Sequence, residues 1–266
     1  MADTNKLSEQ EIKQTLSDNY KNFDIKIFDV LPSTNDFAKE LINSDNFVHG
    51  TTITANTQTK GRGRFARNFF SPANTGIYLS AILKKSLPIK DVSLITIISA
   101  VAVCQAIKKL TNLEPKIKWI NDIYLNNKKI CGILVENISD LTNLKSKGIV
   151  VGIGINISTE NFPKDIENKA GSIMYNGLSR NNLVAEILNN LFDLSKDIYN
   201  KNIIEEYKSL SLVLNKEITY TKDNKVYTAT AVDINDNGNL IVRDDNNNIT
   251  VLECEEVSVN FCKNKI

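Results

Sequence analysis

Residues 92–107, VSLITIISAVAVCQAI, are the most apolar stretch of the chain, and they constrain its fold more than any other segment. The run is shorter than the roughly 20 apolar residues that a membrane-spanning helix needs. It also carries Ser93, Thr96, Ser99 and Gln105. It therefore reads as a core helix over 92–110, and a helix apolar on every side must be covered by other elements. The chain can supply that cover. It has 266 residues, 42% hydrophobic and 24% charged, an ordinary mix for a soluble globular protein. That length suits one large domain, or a large and a small one.

The flanking segments supply strands and further helices. SEQE, at 8–11, is a Ser-x-x-Glu capping box that opens a helix over 8–20. DIKIFDV (24–30) alternates like a strand; Pro32 then breaks the chain, and Ser33 or Thr34 can cap a helix running to Leu41. Strands are expected at 51–57, 76–83 and 116–120. DIYL and ICGILVE (130–136) form a hairpin across an NNKK turn, and KGIVVGIGINI (147–157) is a long glycine-bearing strand. Residues 180–212 have helical periodicity. Beyond about 213 the pattern becomes short alternating strands punctuated by KDNK, NDNG and DDNNN, a small all-β module. The domains expected are thus 1–212 and 213–266.

The start, MADTNKLSEQEIKQ, has no apolar signal region, so a cytoplasmic protein is expected. The cysteines Cys104, Cys131, Cys254 and Cys262 form no CxxC pair, and His49 is the single histidine. Zinc ligation has little support, and reduced thiols fit that compartment.

The net charge is only +1, yet KGRGRFAR places Lys60, Arg62, Arg64 and Arg67 within eight residues. Gly61 and Gly63 let a ligand approach the main chain, and arginine forks suit carboxylate or phosphate. The stretch alone fits a small-anion site, an RGG-like nucleic-acid segment or a solvated turn. PSTND (32–36) offers small hydroxyls and an amide at a strand–helix junction, or a simple N-cap. KWINDIYLNNKKICGILVE brings Lys118, Asn121 and Asp122 to a strand end. Lys129 enters an apolar strand, either as an edge lysine or as a ligand for an anion. GIGIN (152–156) strips side chains from one strand face, for a flat ligand or for close packing.

Five pieces, STN, Q-T-x-GRGR-x-x-R, KW-x-ND-x-YL, KICGILVE and GIGIN, occur in that order over about 28–157. Together they resemble biotin protein ligase. Ala66 stands where that family usually has glycine, and Ile120 where it usually has proline. The resemblance implies an α+β fold: a mixed sheet flanked by helices, like class II aminoacyl-tRNA synthetases, with a small C-terminal SH3-like barrel. It implies activation of biotin by ATP to biotinyl-5′-AMP, then transfer to one lysine of a biotin carboxyl carrier protein of acetyl-CoA carboxylase.

The same resemblance assigns residues. Arg64, Lys129 and Asp122 would be catalytic. Ser33, Thr34, Asn35, Gln58, Gly61, Arg62, Arg64, Lys129, Gly132 and Gly154 would meet biotin. Arg62, Arg64, Arg67, Asn121, Lys129 and Asn156 would meet ATP or the adenylate, with Lys60 and Arg67 on the outgoing phosphates. Mg²⁺ would arrive with ATP, with Asp122 as a candidate ligand. Physically, two anions meet in the first step, and at ~4 Å their repulsion is roughly 4 kcal/mol at an effective dielectric near 20. Clustered cations remove that obstacle.

The 60–70 loop is expected to order over ligand. The approximately 24 residues before the first strand are too few for a helix-turn-helix domain, so DNA binding is not expected, and a pI near 7.6 argues against polybasic membrane anchoring. A monomer or a weak, ligand-linked dimer fits. A lipoate-protein ligase of related fold is the alternative. A nucleic-acid module or a catalytically inactive binder would leave most of the motifs unused.

Overall fold

The structure is a computed structural model that describes residues 6–85, 87–88, 91–139 and 146–259. Cys262 lies outside the described residues. Seven strands form the main sheet: β1 (Ile25–Leu31), β2 (Thr52–Gln58), β3 (Gly76–Leu83), β4 (Lys116–Lys118), β5 (Asp122–Leu125), β6 (Lys128–Ser139) and β7 (Ser146–Asn156). Their order is β1-β2-β3-β7-β6-β5-β4. Only β1 and β2 run parallel. The sheet is mixed, as expected.

Four helices cover one face: α1 (Glu9–Thr15), α3 (Val92–Thr111), α4 (Arg180–Leu194) and α5 (Lys201–Ser209). The apolar run is α3. It is long and apolar enough to cross a membrane, but it is largely buried against the sheet, α4 and α5. On the opposite face α2 (Thr34–Asn43) packs Ala38, Leu41 and Ile42 onto Ile53, Ala55, Ile82 and Val150. Its cap is Ser33, whose Oγ accepts from Asp36 N at 3.3 Å.

Several boundaries differ from the sequence expectation. α1 ends at Thr15 rather than 20. The periodic stretch 180–212 divides into α4 and α5, because Ser195 Oγ returns to the Leu191 carbonyl and Asn200 caps a new helix. β4 stops at Lys118, and the Trp119–Ile120 peptide that follows is cis. Lys129 is not on an edge strand, since β6 lies between β7 and β5.

The C-terminal module is a five-stranded sheet of β8 (Glu217–Lys222), β9 (Lys225–Ile234), β10 (Leu240–Arg243), β11 (Ile249–Leu252) and β12 (Glu256–Val259), ordered β11-β10-β9-β8-β12. Its core residues Ile218, Ala231, Leu240 and Val257 join the core under the main sheet. One of its turns reaches beneath the main sheet: the Gly238 carbonyl accepts from Trp119 Nε1 at 2.9 Å. Gly238 has φ +79°, and a Cβ there would come 3.0 Å from Ile97, so the turn requires glycine.

Candidate active site

A cavity of about 750 Å³ opens on the α2 face, bounded by the N-terminus of α2, strands β5–β7, the basic loop and β12. Gly152 and Gly154, two apart on β7, share one face of the sheet. Both gaps are taken by the protein's own side chains. A Cβ on Gly152 would come 2.0 Å from Asn35 Oδ1, and one on Gly154 2.6 Å from the Phe69 ring. Gly132 lies opposite Gly154 on β6 and is also near Phe69.

The amide and hydroxyl groups at the head of α2 form one network. Gln58 Oε1 accepts from Thr34 N at 2.8 Å and from Thr34 Oγ1 at 3.1 Å. Gln58 Nε2 donates to Ser71 Oγ at 3.0 Å. Ser80, fully buried on β3, contacts Thr34 Oγ1 at 2.8 Å and Asn35 Oδ1 at 2.6 Å. Asn35 also donates to Glu136 and the Leu134 carbonyl. Ser33, Thr34, Asn35 and Gln58 therefore meet at one end of the cavity. Ser71 and Ser80, absent from the sequence assignment, hold them there. A buried serine inside the apolar GIYLSAIL was the available signal.

The basic loop is a small hairpin. Phe69 N donates to the Gly61 carbonyl at 2.9 Å and Gly63 N to the Arg67 carbonyl at 2.7 Å. Its tip carries Phe65 and Ala66 at φ +56° each. Side chains then part in three directions. Arg62 turns toward α2, where it pairs with Asp36 and stands 3.5 Å from Glu136. Lys39 joins the same carboxylates. Burial opposes ionisation of Asp36, but Lys39 and Arg62 outweigh it and hold its carboxyl below the ordinary value. Arg64 reaches inward, donating to Asn121 Oδ1 at 3.1 Å and to the Cys254 carbonyl at 2.6 Å. Burial pushes its guanidinium pKa down, against the pull of Asp122. Arg67 forks onto Glu256 of β12, with Nη1–Oε1 at 2.7 Å.

Lys129 and Asp122, on neighbouring strands, pair at 2.6 Å inside the cavity. Asn121 is fixed by its Nδ2 bond to the Ile133 carbonyl, and Tyr207 donates to the Ile120 carbonyl at 3.0 Å. Asn156 donates to the Gly171 carbonyl, and its buried Oδ1 has no protein partner among the described residues. Gly61 does not line the cavity; its Cβ direction faces the Phe69 carbonyl and Ser71. Lys60 does not line it either. The contribution of Cys254 and Glu256 was not legible in the sequence. Among the described residues no group of three or more His, Cys, Asp or Glu side chains forms a metal cage. Asp122, Asp165, Glu255 and Glu256 line the cavity without forming such a cage, which fits a divalent ion brought in by its ligand rather than a resident one.

A glycine-walled cavity on a seven-stranded sheet, with a basic loop above it and a β module at its mouth, has the fold of solved biotin protein ligases. The Aquifex aeolicus biotin protein ligase in complex with biotin and ATP superposes with a TM-score of 0.74, covering 89% of this chain and 99% of that one at 23% identity. Biotin acetyl coenzyme A carboxylase synthetase from Helicobacter pylori gives 0.61, covering 86% and 100% at 20% identity. Residues 27–156 match the Biotin/lipoate A/B protein ligase family and residues 213–261 the Biotin protein ligase C terminal domain; the chain belongs to that family. The bifunctional ligase/repressor BirA of Bacillus subtilis is 37% identical over 170 residues, 63% of this chain and 51% of that protein. This chain thus aligns with about half the length of its Bacillus relatives.

Proposed function

We propose that this chain condenses biotin with ATP to biotinyl-5′-AMP, releasing pyrophosphate, and passes the biotinyl group to a lysine of a biotin carboxyl carrier protein. The observation that carries the reading is the meeting of Arg64 and the Lys129–Asp122 pair in a cavity whose other end is the Ser33–Thr34–Gln58 network. Such a cavity offers a few fixed polar groups for a neutral ureido head and an apolar wall for the rest.

In this reading the biotin body lies over Gly132 and Gly154, after the Phe69 ring shifts. Its carboxylate points to Arg64 and Lys129, which offset the charge of the α-phosphate. Arg62 leaves Asp36 to join them. Arg67 leaves Glu256 for the outgoing phosphates, and the orphaned Asn156 Oδ1 accepts a hydrogen bond from the nucleotide. Mg²⁺ on the nucleotide, held by Asp122, would neutralise phosphate charge. The basic loop with the C-terminal module excludes water from a labile mixed anhydride. Residues 1–212 form the catalytic domain and 213–266 a module that completes it. A cytoplasmic setting fits the free thiols of Cys104 and Cys131.

The test is incubation with biotin, Mg-ATP and a carrier domain, read by mass spectrometry. One biotinyl group on one carrier lysine is expected, and lipoate in place of biotin should give none. Lipoyl transfer at equal rate would assign the site to the other branch of the family.

A further inference from the structure

In the described structure, three of the cations around the cavity already have a carboxylate. Arg62 has Asp36, Arg67 has Glu256, and Lys129 has Asp122. Lys118 is different. It sits at the end of β4, directly across from Asp122 in the antiparallel register, and it lines the cavity. Its cross-strand neighbour is taken by Lys129 at 2.6 Å, and among the described residues Lys118 makes no ion pair of its own. Burial holds its ammonium pKa below the ordinary value, against the pull of Asp122 and Glu256.

β4 is the last strand of the sheet, so an edge lysine that deters strand pairing is the alternative. That role needs an exposed side chain. Lys118 is half-buried and turned into the cavity. Keeping a cation there without a counter-ion is unfavourable unless an anion is to arrive.

We propose that Lys118 is a further catalytic residue, which binds the β–γ end of the nucleotide and holds the departing pyrophosphate. The assignment rests on the adenylation reading above. In that step a biotin carboxylate oxygen forms a bond to the α-phosphorus. The bond from the α-phosphorus to the α–β bridging oxygen breaks, and its electron pair leaves with pyrophosphate. The new negative charge appears on the side where Arg67 and Lys118 stand. Lys118 supplies a point charge that does not have to be released from a carboxylate first.

The test compares wild type with Lys118→Met and Lys118→Arg. Calorimetry reads ATP binding and, separately, biotin binding; pyrophosphate release reads the first half-reaction. Transfer from preformed biotinyl-5′-AMP to a carrier lysine reads the second. Lys118→Met is expected to weaken ATP binding about tenfold or more and to lower the rate of pyrophosphate release. Biotin affinity and transfer from preformed adenylate should stay within twofold, since neither involves the outgoing phosphates. Lys118→Arg should recover most of the loss. A merely structural lysine would disturb all four readouts together, and that pattern overturns the proposal, as does Lys118→Met with unaltered ATP affinity. Wild type that binds ATP yet never releases pyrophosphate would remove the adenylation reading, while the ATP affinities still decide whether Lys118 is a phosphate ligand.

Discussion

Replacing Gly152 and Gly154 separately by alanine separates the two uses of a bare strand face. At Gly152 the added Cβ would come 2.0 Å from Asn35 Oδ1, 2.7 Å from its Cγ and 2.8 Å from its Nδ2. No part of that amide can stay. Asn35 would give up a bond from Ser80 at 2.6 Å, one to Glu136 at 2.9 Å and a longer one to the Leu134 carbonyl. A neutral hydrogen bond contributes about 1 kcal/mol and one to a charged group about 1.5–3. The loss is therefore about 3.5–5 kcal/mol, and at ~2–4 °C per kcal/mol for a chain of this size the melting temperature should fall by roughly 7–20 °C.

At Gly154 the obstacle is the ring of Phe69, 2.6–2.9 Å away, on a loop side chain that is only half-buried. The ring can swing outward, at about 1 kcal/mol, the low end for an added methyl. The melting point should drop by only ~2–4 °C. The methyl would then stand in the space assigned to biotin, and an uncompensated intrusion of about 1.4 kcal/mol weakens binding tenfold. Thermal unfolding followed by fluorescence of Trp119, the sole tryptophan, and biotin titration by calorimetry read the two quantities. Equal melting points for the two variants, or unaltered biotin affinity in Gly154→Ala, would refute the division of roles.

Three further outcomes are expected. Arg64→Ala removes the inward guanidinium and should slow pyrophosphate release about 10²–10³-fold; a variant within fivefold of wild type would take Arg64 out of the reaction. Ala66 lies at φ +56°, where a side chain costs roughly 1–2 kcal/mol. Limited proteolysis should therefore find the loop in Ala66→Gly no more labile than in wild type, and that in Ala66→Val distinctly more so; an unchanged Ala66→Val would remove the left-handed assignment. Arg67 holds the Glu256 carboxyl below its ordinary value of 4.5. A lowered carboxyl pKa stabilises above the ordinary value, and that contribution is lost as pH falls through the lower one. Acid titration of Trp119 fluorescence should show a step below pH 4.5 that Glu256→Gln lacks; identical curves would show that the pair does not couple the module to the loop.

Strands were legible wherever the chemistry was local. β3 was expected at its observed bounds, whereas the expected NNKK turn shortens to Asn126 and Asn127, both at positive φ, because Lys128 and Lys129 already belong to β6. The glycines of GIGIN were legible as a bare face, but not their occupants. Asn35 comes from more than a hundred residues away, and Phe69 from the loop itself. Arg64–Cys254 and Arg67–Glu256 join residues 190 and 189 apart, and no periodicity or capping signal spans such a separation. Helix ends failed for the opposite reason. At Ser195 a single side chain returning to its own backbone outweighed the apolar period.

Ala66 and Ile120, the two departures from the family pattern, show how local and distant influences combine. Glycine at 66 would tolerate a left-handed backbone, and Ala66 adopts one regardless, at φ +56°. The hairpin around it is closed by the Gly63–Arg67 backbone bond and fixed by Arg67 on Glu256. Ile120 follows a cis peptide at the position where the family usually has proline. The segment is bounded by Trp119 on the Gly238 carbonyl and by Tyr207 on the Ile120 carbonyl. At 66 an ordinary residue keeps the backbone that positions Arg64, and partners from α5 and the C-terminal module flank the segment that carries Asn121 and Asp122. The C-terminal module therefore belongs to the site from two sides, at the mouth through Glu256 and beneath Trp119 through Gly238. A change at either contact should be felt at Arg64 before it is felt in global stability, because both contacts end on the segments that carry the charged groups.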